Sequence, residues 1–107
     1  MLNKTLQKIV EYIKYNFQPE KIILFGSYAD GREDVYSDVD LIIITDNVYN
    51  RNYQKDIIKK YIAESALRSD VLIYTPKEIL RASKNPSSFL TSVMKAGKVI
   101  FERIPGK

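Results

Sequence analysis

Three aspartates and a glycine–serine pair carry the chemistry this chain offers. Asp38 and Asp40 are separated by Val39 alone, and the apolar run 41–44 follows at once. Residues i and i+2 of a strand point to the same face, with Cα atoms ~7 Å apart. Two carboxylates so placed repel, by up to ~4 kcal/mol at 4 Å in an effective dielectric of 20. A divalent cation offsets that cost directly. Mg²⁺ suits hard oxygen ligands and takes one or two carboxylates, leaving further positions to water and phosphate oxygens. Asp70 stands before a second apolar run, 71–73, as Asp38 stands before the first. On neighbouring strands, ~4.8 Å apart, it would join the pair. Three converging aspartates could hold two ions ~4 Å apart, the clamp used for in-line phosphoryl displacement. Ten residues separate Gly26-Ser27 from Asp38. A glycine lets backbone approach a phosphate, and a hydroxyl beside exposed N–H groups can cradle its oxygens.

The rest of the composition narrows the choice. The chain has 107 residues, room for a single domain spanning 1–107. It contains no cysteine and no histidine. Disulfides, thiolate zinc sites, cysteine nucleophiles and imidazole shuttles are therefore excluded. Seventeen Lys and Arg against thirteen Asp and Glu leave a net charge of +4, a weak bias toward anionic partners. The apolar stretches are far shorter than the ~18 residues of a membrane span, so a cytoplasmic protein with no membrane contact is expected.

The elements that must position these residues are legible as pattern. Leu2, Leu6, Ile9, Val10, Ile13 and Phe17 recur at helical spacing, predicting a helix over 2–17 that Pro19 stops. A buried strand is expected over 21–25, a loop over 28–37, and a second strand over 39–45. Tyr53, Ile57, Ile58, Tyr61 and Ile62 predict a helix whose formers continue to Arg68, followed by a strand over 71–74. Thr75-Pro76-Lys77-Glu78 reads as a capping box. A further helix opens at Asn85-Pro86 and stops at Gly97, and residues 98–102 close the sheet. The alternation predicts an α/β (α+β) domain: a small mixed sheet with helices packed mainly on one face.

Gly26-Ser27, the ten-residue gap and Asp38-x-Asp40 before the run 41–44 resemble the signature of the DNA polymerase beta nucleotidyltransferase superfamily. The strand 21–25 and the later Asp70 fit the same template. The order of elements is similar to that of minimal nucleotidyltransferase (MNT) proteins, many of them antitoxins of HEPN-domain toxins. The resemblance implies the nucleotidyltransferase fold and Mg²⁺-dependent transfer of AMP from ATP to a hydroxyl, typically a tyrosine of the cognate toxin. It implies that Asp38 and Asp40 bind two Mg²⁺ ions. Asp70 would complete the site of the ion activating the acceptor and could act as general base, while Gly26 and Ser27 hold the β- and γ-phosphates. Relatives often carry arginines where this loop has Tyr28 and Asp30; Arg32 would reach the phosphates instead.

Bland readings stand beside these. Asp-x-Asp pairs also cap strand edges, Asp70 is also an ordinary turn residue, and Ser27 is also a helix N-cap. Tyr12, Tyr53 and Tyr61 read as core or rim, and Lys59-Lys60 as a solvated face. Without clustered stacking aromatics, no nucleic-acid groove is expected. The chain carries little beyond a catalytic core, so a second protein is expected to present the hydroxyl. The unalternating run 41–44 predicts burial on both faces, which a toxin or a homodimer would serve equally. Two rivals remain: neutralisation of the toxin by binding alone, motivated by Tyr28 and Asp30, and transfer to a small molecule such as an aminoglycoside.

Overall fold

The computed structural model describes residues 4–26 and 38–104. Its elements run α1 (Lys4–Phe17), β1 (Lys21–Phe25), β2 (Val39–Ile44), α2 (Arg51–Ala63), β3 (Ser69–Tyr74), α3 (Pro76–Ser83), α4 (Phe89–Ala96) and β4 (Lys98–Glu102). The four strands form one mixed sheet in the order β3-β2-β1-β4. Strand β1 pairs antiparallel with β2 and with β4, whereas β2 and β3 run parallel. The parallel pair is a consequence of α2, which carries the chain back across the sheet before β3 begins.

Two apolar layers sandwich the sheet. Leu6, Ile9, Val10, Ile13 and Phe17 of α1 are buried together with Ile58 and Ile62 of α2. They pack on Ile22, Leu24, Leu41, Ile43, Val71 and Ile73, which alternate along three strands. The opposite face holds a smaller cluster, in which Ile23, Ile42, Ile44 and Val93 meet Leu72, Ile79, Leu90 and Met94. The longer helices thus cover one face and the short α3 and α4 the other. Strand β2 is apolar on both sides for this reason; Leu41, Ile42 and Ile43 are each 0 % exposed. Each such side chain contributes about 1.5–3 kcal/mol of burial.

Several boundaries depart from the sequence pattern for identifiable reasons. Helix α2 ends at Ala63 rather than near Arg68, because Ala66 takes a left-handed φ of 61° and turns the chain into β3. Strand β3 starts at Ser69, so Asp70 lies inside it rather than ahead of it. Helix α4 starts at Phe89 behind an N-cap at Ser88, since Asn85-Pro86 is spent on a turn. The capping box at Thr75 and Glu78 is present, and strands β1 and β4 match their expected residues.

Two polar residues among those described are buried, Thr45 and Gln54. Gln54 is 0 % exposed; its amide donates to the Asn47 carbonyl at 2.8 Å and its carbonyl oxygen accepts from Tyr49 N–H. It ties the β2–α2 connection to the helix from inside, which sets the start of α2 relative to β2. Among the described residues, no helix is long and apolar enough to cross a membrane.

Candidate active site

The site is built where β1 ends and β2 and β3 begin. In register, Phe25 of β1 faces Asp40 of β2, and Asp40 faces Asp70 of β3. Register partners in a sheet share a face, and alternation puts Asp40 with Ile42 and Asp70 with Leu72 on the side of the smaller cluster. Two carboxylates therefore sit side by side on adjacent strands. Asp38 lies two residues upstream of Asp40, just ahead of the strand. Its backbone is tethered indirectly, through a 2.9 Å hydrogen bond from Val39 N–H to the Arg68 carbonyl.

Gly26 completes the edge. It carries a φ of +78°, a conformation that costs any residue with a Cβ about 1–2 kcal/mol. A Cβ there would also collide with Asp40 Oδ2 and stand 3.2 Å from Asp40 Cγ. Backbone and carboxylate are in contact, so this glycine is required by both conformation and space.

The electrostatics follow from the crowding. The Asp40 carboxyl is pushed up from 3.8 to about 6, first by burial, then by the Asp38 charge, then by the Asp70 charge. Both neighbours act on it, which places all three acids within one field. Asp38 Oδ1 is buried and accepts no hydrogen bond, although the Arg68 guanidinium stands 3.2 Å away at ion-pair distance. The guanidinium lies close but is not aligned to donate. A buried carboxylate oxygen without a donor is costly unless a cation meets it.

These features suit a hard divalent cation in donor chemistry: oxygen ligands only, excess negative charge, and a carboxylate oxygen of Asp38 that no hydrogen bond satisfies, its counter-charge being the Arg68 ion pair. The three carboxylates are not drawn together into a closed cage, however; among the described residues no three acidic side chains are grouped to hold one ion by themselves. Such an arrangement suits Mg²⁺, which keeps water and phosphate oxygens in its shell. Of the residues expected from the sequence, Asp38, Asp40, Asp70 and Gly26 meet at this edge. Ser27 and Arg32, with Tyr28 and Asp30, lie outside the described residues. Arg68 was not singled out by the sequence reading. Its signal was available: it precedes Asp70 by two positions, the same alternation that relates Asp38 to Asp40.

With that geometry in view, comparison with known proteins is informative. Residues 7–105 match the family described as polymerase beta, nucleotidyltransferase. A protein of Methanocaldococcus jannaschii named "putative protein adenylyltransferase" is 31% identical over 96% of this chain and 74% of its own length. Among solved structures, a chain of a toxin–antitoxin crystallised with AMP-PNP superposes with a TM-score of 0.69 at 21% identity, covering 94% of this chain and 75% of that one. A chain from the complex of a tri-AMPylated Shewanella oneidensis HEPN toxin with its MNT antitoxin gives 0.60 at 16% identity, covering 92% and 71%. The likeness to both is one of fold. The chain belongs to the polymerase beta nucleotidyltransferase family, and its activity class is nucleotidyl transfer.

Proposed function

We propose that this chain is a magnesium-dependent protein adenylyltransferase that moves AMP from ATP to a tyrosine hydroxyl of a HEPN-type toxin, and so acts as its antitoxin. The observation that carries the reading is the register match of Asp40 with Asp70, on one sheet face, beside a glycine pressed against Asp40. The partner class is supported by the MNT antitoxin fold and by the adenylyltransferase name of the archaeal relative.

In this reading Asp38, Asp40 and Asp70 hold two Mg²⁺ ions. When bound, magnesium supplies charge that stabilises the phosphoryl oxygens and acidifies the attacking hydroxyl. The positive-φ backbone at Gly26 lets the triphosphate approach Asp40 closely, with Ser27 and Arg32 assigned to its β- and γ-phosphates. Asp70 accepts the tyrosine proton. The tyrosine oxygen bonds to the α-phosphorus as the bond to the β-bridging oxygen breaks, and pyrophosphate leaves. Near neutral pH Asp40 is largely ionised, and a bound cation would offset its crowding with Asp38 and Asp70.

Mass spectrometry of the cognate toxin after incubation with ATP, Mg²⁺ and this protein tests the proposal. One or more AMP increments are expected with wild type and none with Asp38→Asn/Asp40→Asn. An unmodified toxin that is nevertheless neutralised by both proteins would favour inhibition by binding alone.

A further inference from the structure

A cleft of about 830 Å³ opens beside the carboxylates, between α2 and the start of β3. Ile57, Ala63 and Leu67 give it an apolar floor, and Lys59, Lys60 and Arg68 place three cations around it. Asp38 forms part of its wall, so the cleft is continuous with the acidic edge. Its position in the sheet order decides what can occupy it. Gly26 ends β1, Asp40 lies on β2 and Asp70 on β3, while the cleft lies under α2 on the other sheet face, reaching the start of β3 at Ser69 and meeting the acidic edge through Asp38. A donor whose phosphates rest on Gly26 approaches from the β1 side. The side beyond Asp70 is left for the acceptor.

We propose that this cleft receives the acceptor polypeptide, as an acidic segment that carries its tyrosine across the β3 edge toward Asp70. The inference rests on the transferase reading above and adds to it the location and charge of the acceptor site. Charge complementarity commits the occupant: Asp56 and Asp38 are the cleft's own acids, and Asp38 is already paired with Arg68. The apolar floor accommodates a phenol ring or an aliphatic neighbour, and Tyr53, 55 % exposed at the rim, offers an aromatic face. Lys59 and Lys60 thus do more than solvate α2.

The experiment measures binding of a fluorescein-labelled peptide of glutamates flanking a tyrosine, by anisotropy, with the intact chain and Mg²⁺ but no ATP. Lys59→Glu/Lys60→Glu should weaken that peptide by about tenfold, as expected for reversing two exposed charges. Binding of mant-ATP should be retained, and Lys77→Glu/Lys84→Glu on α3 and its C-cap, the same charge change elsewhere, should leave peptide affinity unaltered. A peptide with lysines in place of the glutamates should bind more weakly than the acidic one. Equal binding of the two peptides, or equal loss in the α3 variant, would overturn the proposal. So would a Lys59→Glu/Lys60→Glu protein that loses mant-ATP and keeps the peptide, since the cleft would then belong to the donor. Because binding needs no turnover, a protein that holds the acidic peptide through these lysines yet transfers no AMP supports the cleft while refuting the transferase reading. A protein that adenylylates a HEPN toxin with unchanged acceptor KM after Lys59→Glu/Lys60→Glu does the reverse.

Discussion

Replacing Asp40 by asparagine should stabilise this protein at neutral pH, against the usual cost of changing a half-buried residue. The folded state raises the Asp40 pKa from 3.8 to about 6, through burial and then the charges of Asp38 and Asp70. Between those values the native protein keeps a proton that the unfolded chain releases. Stability therefore falls as pH rises through this window, and the loss is complete above about pH 6. A shift of this size corresponds to a ceiling of about 3 kcal/mol. Solvent around the partly exposed carboxylate screens it, leaving about 1 kcal/mol. Asp40→Asn keeps the shape and removes the charge. In urea titrations at pH 7.5 without divalent metal, its midpoint should lie about 0.5 M above wild type. Near pH 4 the two curves should nearly coincide. Added Mg²⁺ should close the gap at pH 7.5 by stabilising wild type alone. A variant equal to or less stable than wild type at pH 7.5 would refute the argument that these carboxylates crowd one another.

Gly26→Ala should cost about 1–2 kcal/mol from its left-handed backbone alone. It should also displace Asp40 and weaken mant-ATP binding, which separates it from a purely structural lesion. Glu78→Ala removes the acceptor for both Thr75 N–H and Arg51 Nη2, at 2.8 and 2.7 Å. Its cost should be about 1 kcal/mol at pH 7. The Thr75 backbone hydrogen bond, helped by the Arg51 charge, holds the Glu78 carboxyl below its ordinary 4.5. Its contribution is thus present at neutral pH and lost as pH falls, and acid titration of wild type and variant should converge. Gly97→Val should destabilise by about 1–3 kcal/mol in thermal melts. Even a Cβ at position 97 would stand 2.6 Å from Ile23 Cγ2 and 2.9 Å from the Val93 carbonyl.

Much of this arrangement is written in local pattern. The i, i+3, i+4 recurrence in α1, the apolar run of β2 and the Thr75–Glu78 box each specify their element without outside help. Asp38 and Asp40 were legible as a pair because strand alternation is a local property. That Asp70 faces Asp40 is not local; it depends on α2 returning the chain parallel to β2 with Val39 opposite Ser69. Gln54 was illegible for a similar reason. A glutamine at helical spacing reads as solvated until the loop carbonyl it serves, Asn47, is brought over it. The end of α2 is not legible locally, because Glu64, Ser65 and Ala66 are acceptable helix residues and the left-handed turn at Ala66 stops them. Coverage of the second sheet face is the least local feature, because α3 and α4 are short and bury little on their own.

Mn²⁺ titration followed by electron paramagnetic resonance, in the presence of AMP-PNP, tests the metal site most directly. Wild type should take up the ion and quench the free-Mn²⁺ signal, with Asp40→Asn/Asp70→Asn leaving that signal at the level seen with AMP-PNP alone. Equal uptake by the two proteins would mean that the carboxylates at this sheet edge do not form the cation site.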